Sequence, residues 1–184
     1  WIAETANPLC TACIHGKWKN VVAQTSDTCI SCVAGKYNTQ YGSPSVSACA
    51  DCAKGKYMTS SQSAAHVESF CKNCIRSEYN DETGKVGCKK CVAGTYGTTE
   101  RLISVTDCTS CPRGKYGDEL AYVLLSQCKD CPLGWHQINP RKTSCSECAR
   151  GQYGDEVAIV SALHTDTDLP RCKSCSKGYY VDEV

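Results

Sequence analysis

CTSCPRGKYGDELAYVLLSQCKDC, residues 108–131, holds one full period of this chain. It opens on the pair Cys108/Cys111 and closes on the pair Cys128/Cys131. Gly114 stands three residues after the second cysteine, and Tyr116 two residues further on. The same frame extends outward in both directions. The pairs are Cys10/Cys13, Cys29/Cys32, Cys49/Cys52, Cys71/Cys74, Cys88/Cys91, Cys108/Cys111, Cys128/Cys131, Cys145/Cys148 and Cys172/Cys175, and they account for all 18 cysteines. Successive pairs are 19, 20, 22, 17, 20, 20, 17 and 27 residues apart. Repetition at a fixed short period identifies an array of small units, and it settles the architecture before any local propensity is consulted. We number the repeats 1 to 9 by these pairs and expect one continuous array over residues 1–184.

Within the array the third residue after each pair is Gly16, Gly35, Gly55, Gly94, Gly114, Gly134, Gly151 or Gly178, with Ser77 the exception in repeat 4. Glycine there supplies a positive-φ turn. The fifth residue is an aromatic ring: Trp18, Tyr37, Tyr57, Tyr79, Tyr96, Tyr116, Tyr153 or Tyr180, with His136 replacing it in repeat 7 beside Trp135. The unit therefore reads C-x-x-C-x-x-G-x-Y, and its length varies between the ring and the next pair, where a variable loop is expected on a fixed frame. Sulfur–aromatic contacts are favourable, so the ring is expected to lie as a lid over a neighbouring disulfide.

Composition agrees. One Phe, one Met and thinly spread Leu, Ile and Val cannot build the continuous core of a 184-residue globule. Disulfides take the place of that core, and they persist in an oxidising compartment, so an extracellular location, secreted or on the cell surface, is expected. A net charge of +1 from 20 basic and 19 acidic residues excludes the electrostatic footprint of a nucleic-acid or anionic-membrane binder. No apolar run reaches the roughly 20 residues of a membrane span. Both ends fall inside a repeat, which leads us to expect that the array continues or meets identical neighbours end to end.

The stretches CVAGKYNTQ, CAKGKYMTS, CPRGKYGDE and CARGQYGDE resemble the ephrin-receptor-like cysteine-rich repeat, which is distantly similar to modules of tumour-necrosis-factor receptors. The likeness runs along essentially the whole chain. Long arrays of such units resemble surface and flagellar-hair (mastigoneme-type) proteins of algae and other protists. The resemblance implies a small disulfide-rich repeat fold: an elongated extracellular solenoid or rod with short β-ribbons, little helix and no large hydrophobic core. Ser77, His136 and the long loop between Gly154 and Arg171 depart from the pattern.

With one pair per repeat, the economical connectivity is a relay from the second cysteine of each pair to the first of the next. That gives Cys13–Cys29, Cys32–Cys49, Cys52–Cys71, Cys74–Cys88, Cys91–Cys108, Cys111–Cys128, Cys131–Cys145 and Cys148–Cys172, with Cys10 and Cys175 left for neighbouring segments. The interlocked alternative joins first to first and second to second, although an odd number of pairs cannot all be matched two by two. Sequence alone leaves connectivity open.

The same residues are open to competing chemistries. Zinc fits C-x-x-C spacing, but four-thiolate sites consume pairs two at a time and would alternate short and long gaps. A redox C-x-x-C needs one reactive pair at a helix start. His15, His66, His136 and His164 lie in different repeats and in no catalytic motif, so no enzyme activity, cofactor or catalytic residue is expected. A Tyr-x-Asp-Glu motif recurs, and its carboxylates Asp118, Glu119, Asp155 and Glu156 give a weaker calcium alternative to ordinary solvated turns. The most apolar loops, Leu120–Leu125 and Val157–Leu163, serve either as lateral contact surfaces or as flaps folded back over the disulfides. There is no N-x-Ser/Thr sequon, and Ser/Thr clusters leave O-glycans open as partners.

The expected function is structural: a stiff component of an extracellular filament, surface appendage or matrix that associates with itself or with other filament subunits. A receptor stalk or ligand-binding ectodomain is the alternative, and a zinc-binding array the third reading.

Overall fold

The computed structural model describes residues 10–22, 28–59, 67–160 and 172–181. Within them the regular structure is a series of two-residue antiparallel ribbons. β1 (Lys17–Trp18) pairs with β2 (Ile30–Ser31), β3 (Lys36–Tyr37) with β4 (Ala50–Asp51), and β5 (Lys56–Tyr57) with β6 (Lys72–Asn73). β7 (Glu78–Tyr79) pairs with β8 (Lys89–Lys90), β9 (Thr95–Tyr96) with β10 (Thr109–Ser110), and β11 (Lys115–Tyr116) with β12 (Lys129–Asp130). β13 (Trp135–His136) pairs with β14 (Ser146–Glu147), and β15 (Gln152–Tyr153) with β16 (Lys173–Ser174). The first strand of each ribbon carries the ring position of one repeat, and the second is the x-x between the cysteines of the next pair. The described residues contain no α-helix, only four 3-10 turns: Val46–Ala48, Glu68–Phe70, Val105–Asp107 and Leu125–Gln127.

A two-residue ribbon is far too short to persist in water unaided. Each is instead entered through a tight turn whose third residue is the frame glycine. The N–H of Lys17 donates to Ile14 C=O, that of Lys36 to Val33, that of Lys115 to Pro112, and so on to Tyr179 and Ser176. The glycines have φ between 72° and 89°, the left-handed region open to glycine. Ser77 adopts the same conformation at φ 61°, so repeat 4 keeps the turn at the cost of left-handed strain. The 3-10 turns bring the longer loops down onto the next cysteine. In one of them the Asp107 carboxylate accepts the N–H groups of Ile103 and Ser104, and in another Gln127 Oε1 accepts those of Val123 and Leu124.

The chain forms two compact units: Trp1–Cys74 with Asn80–Cys88, and Ile75–Tyr79 with Lys89–Val184. Each has small separate nuclei in place of one core. In the first, Met58 packs on Cys52 and Cys71 under Tyr37, and in the second, Leu102 packs on Cys91 and Cys108 under Tyr79. Apart from cysteines, the buried hydrophobic side chains among the described residues are Met58, Leu102, Tyr122 and Ile159. The fold is thus a disulfide-rich small-repeat fold.

Candidate functional site

Eight disulfides link each pair to the next in relay order: Cys13–Cys29, Cys32–Cys49, Cys52–Cys71, Cys74–Cys88, Cys91–Cys108, Cys111–Cys128, Cys131–Cys145 and Cys148–Cys172. They close loops of 14 to 24 residues, for which loop-closure entropy gives about 3 kcal/mol each. Cys10 is a free, exposed thiol and Cys175 a free, half-buried one. Because each bonded sulfur is spent on a sulfur of the adjacent pair, these cysteines form no four-thiolate zinc ribbon.

A backbone ladder runs beside the relay. The carbonyl of each frame residue accepts the N–H of the second cysteine of the next pair: Gly16 from Cys32, Ser77 from Cys91, Gly114 from Cys131, Gly151 from Cys175. Successive repeats are then joined by up to three further hydrogen bonds. Between repeats 6 and 7, Gly114 N–H donates to Gln137, Gly117 N–H to Lys142, and Arg141 N–H to Cys111. Gly42, Gly84, Ala121 and Ala158 repeat the last of these, donating to Cys13, Cys52, Cys91 and Cys131. All five donors have positive φ, as has Arg101, and all stand five residues after the ring. This second left-handed position was not foreseen. The only signal for it was the constant offset of Gly42 and Gly84 from Tyr37 and Tyr79.

Two of the rings pack on clusters that contain a disulfide from further along the chain: Tyr37 on Cys52, Met58 and Cys71, and Tyr79 on Cys91, Leu102 and Cys108. In six of the repeats the interior is filled in one of two ways, and in repeat 3 the residue after the ring, Met58, is itself the buried apolar group. In repeats 2, 4 and 7 the residue after the ring is a buried amide. Asn38 Nδ2 donates to Lys17 C=O (3.0 Å) and Ser43 Oγ (2.7 Å), Asn80 Nδ2 donates to Lys56 C=O (2.9 Å), and Gln137 Nε2 to Ser144 C=O (2.7 Å). In repeats 5, 6 and 8 that residue is Gly97, Gly117 or Gly154, and a buried Leu102, Tyr122 or Ile159, six residues after the ring, occupies the space. The apolar loops thus divide residue by residue: Tyr122 and Ile159 fold inward, while Leu120, Leu124, Leu125 and Val157 stay exposed. Residues 161–163 of the second loop lie outside the described residues.

Three of the four Tyr-x-Asp-Glu carboxylates, Asp118, Asp155 and Glu156, have a lysine close by. Asp118 accepts from Lys129 Nζ (2.6 Å) and Tyr122 Oη (2.6 Å), and these two bonds hold its carboxyl at about 2, below the usual aspartate value. The same contact raises Lys129 and Tyr122. In repeat 8, Asp155 bonds Lys173 (2.8 Å), which lowers its pKa, and Glu156 lies 3.9 Å from the same ammonium. Cross-strand pairs Lys36–Asp51 and Lys115–Asp130 add further ion pairs across two ribbons. Glu119 is exposed.

In repeat 7 the imidazole takes the lid position. His136 Nδ1 lies 3.6 Å from Cys172 Sγ, over the Cys148–Cys172 disulfide, while Trp135 is exposed. The His15 ring lies tilted against that of the exposed Tyr41, with centroids 4.0 Å apart. His66 and His164 lie outside the described residues.

No family model matches this chain, and no curated protein matches it. Eight disulfides in 184 residues point to a secreted or extracellular protein. Among the described residues no helix is long and apolar enough to cross a membrane.

Proposed function

We propose that this chain is a non-catalytic, load-bearing segment of an extracellular filament, surface appendage or matrix, in which the repeats form one continuous stiff array. The observation that carries the reading is the coincidence of two sets of links between successive repeats: a covalent relay that never skips a pair, and hydrogen bonds that tie frame, loop and cysteine. In a nearest-neighbour architecture length follows repeat count, and tension is carried by bonds rather than by a core. The exposed apolar side chains of the loops, with O-glycans as further candidates, supply lateral contacts. The free thiols of Cys10 and Cys175 offer copies or flanking segments a covalent joint.

Small-angle scattering and sedimentation of the oxidised protein test this. An elongated particle that self-associates with concentration supports the filament reading. An elongated particle that stays monomeric at every concentration and captures a protein ligand would instead make it a receptor stalk, and a compact particle would remove both.

A further inference from the structure

Among the described residues, one disulfide is covered by a metal ligand. His136, Cys148 and Cys172 present an imidazole nitrogen and two sulfurs, all within 4.8 Å of one another. In the other repeats the lid is a phenol or an indole, neither of which binds metal ions as imidazole does. We propose that, once Cys148–Cys172 is reduced by a dithiol, His136, Cys148 and Cys172 bind one zinc ion, so that this link exchanges a covalent bridge for a metal bridge.

The ligands are positioned by backbone that the sulfur bond does not hold alone. His136 lies on β13, where it faces Ser146, and Cys148 directly follows β14 and donates its N–H to Gly134 C=O at 2.8 Å. Cys172 adjoins β16, whose Lys173 is in register with Tyr153. Ile159, fully buried, bridges to His136 and receives Gln137 N–H on its carbonyl. These contacts survive opening of the disulfide and keep the three donors converging.

Cys148 is half-buried and so open to attack, as are Cys29, Cys88 and Cys145 in three other disulfides. What sets this link apart is the imidazole beside the leaving sulfur. One thiolate of the dithiol attacks Cys148 Sγ and the S–S bond breaks. Cys172 departs as a thiolate beside the imidazole, which can donate a hydrogen bond to it, and then takes up a proton. The second thiol of the reductant displaces Cys148 and closes its own cyclic disulfide, leaving two protein thiols. Zinc then binds two thiolates and a neutral imidazole, releasing both thiol protons, with a fourth position open to water.

The test uses the full oxidised chain, treated with a limiting amount of immobilised dithiol and then with Co2+ as a spectroscopic stand-in for zinc. Differential alkylation reads which cysteines have opened. Opening at Cys148 and Cys172 first, with one Co2+ per chain, thiolate charge-transfer absorption and displacement by Zn2+, is the expected result. H136Y restores the ring of the other repeats and so keeps the lid. It should weaken metal binding about 10- to 100-fold, the size of effect seen even for partners outside the ligand set, while C175A should leave binding unchanged. A different disulfide opening first, no metal uptake by chains opened at Cys148 and Cys172, or equal binding by H136Y would each overturn the proposal. So would loss of binding in C175A alone, which would mark simple Cys172/Cys175 chelation.

Discussion

Repeats 2 and 8 fill the same space under the ring by opposite chemistry. In repeat 2 the buried Asn38 amide donates twice and its Oδ1 accepts the Gln40 N–H at 2.9 Å. In repeat 8 Gly154 leaves the space empty for Ile159, whose Cδ1 would stand 2.5 Å from a Cβ on Gly154. Gly97 with Leu102 and Gly117 with Tyr122 show the same reciprocity at 3.2 and 3.1 Å. The glycine after the ring is thus a spatial requirement, distinct from the conformational one met by the frame glycine. Either plug serves the frame, because what must be satisfied is a small volume between two repeats and not a core continuous with the rest of the protein.

The largest expected effect comes from emptying an apolar plug. I159A should cost about 2–5 kcal/mol, the range for truncating a large buried aliphatic. Because repeats unfold locally, it should appear as faster hydrogen exchange at the Gln137 amide, which donates to Ile159 C=O, and not as a uniform change along the chain. Uniform change would mean that the plugs are not local. The pair G154N/I159S, which writes the repeat 2 chemistry into repeat 8, should cost less than the sum of its single substitutions, and strict additivity would show that the two positions do not share one space.

N38A breaks the polar version. Lys17 C=O and Ser43 Oγ lose their donor in a buried setting, which costs about 1–3 kcal/mol. Exchange at Lys19 N–H, bonded to Ser43 C=O, should rise with it, and an unchanged rate would show water replacing the amide.

These plugs also mark what the sequence could and could not say. Frame glycine, ring and ribbon were legible because each keeps one residue type at a fixed offset from cysteine. The second left-handed position was hidden because Gly42, Gly84, Arg101, Ala121, Arg141 and Ala158 share a conformation and not an identity. The plug was hidden because it is a property of two positions five residues apart, so that neither Gly117 nor Tyr122 carries the signal alone. The placement of His136 over Cys172 was hidden too, since a lid that reaches sulfurs further along the chain is not visible in the spacing of its own pair.

The hidden position yields a stabilising substitution. A121G at φ 62° relieves left-handed strain of about 1–2 kcal/mol, partly offset by the greater freedom of an unfolded glycine, for a net gain of about 0.5–1 kcal/mol. G84A, the reverse change in a polar-plugged repeat, should destabilise, since its Cβ would also lie 2.4 Å from Asp51 Oδ1. Guanidinium unfolding without reductant compares the two, and the same sign for both would show that φ at this position is not what matters.

The smallest effect separates two apolar plugs. Tyr122 is tethered by its hydroxyl to Asp118, whereas Leu102 has no such tether. Asp118 titrates at about 2 in the folded chain and at the ordinary 3.8 when unfolded, because Lys129 first and Tyr122 second stabilise its charged form. The unfolded chain therefore binds the proton more readily between these values. The stabilisation is complete above about pH 4 and fades as pH falls through the window toward 2. Asp118 and Lys129 are both solvent-exposed, so the change is small and is further screened by salt. After correction for intrinsic rates, exchange at Gly97 N–H, which donates to Tyr122 C=O at 2.8 Å, should quicken across that window in the native chain. In D118N it should be faster at neutral pH and lose this acid dependence. A native profile that stays flat would mean that Tyr122 is held by burial alone, as Leu102 is, and that its hydroxyl contact adds nothing to the plug.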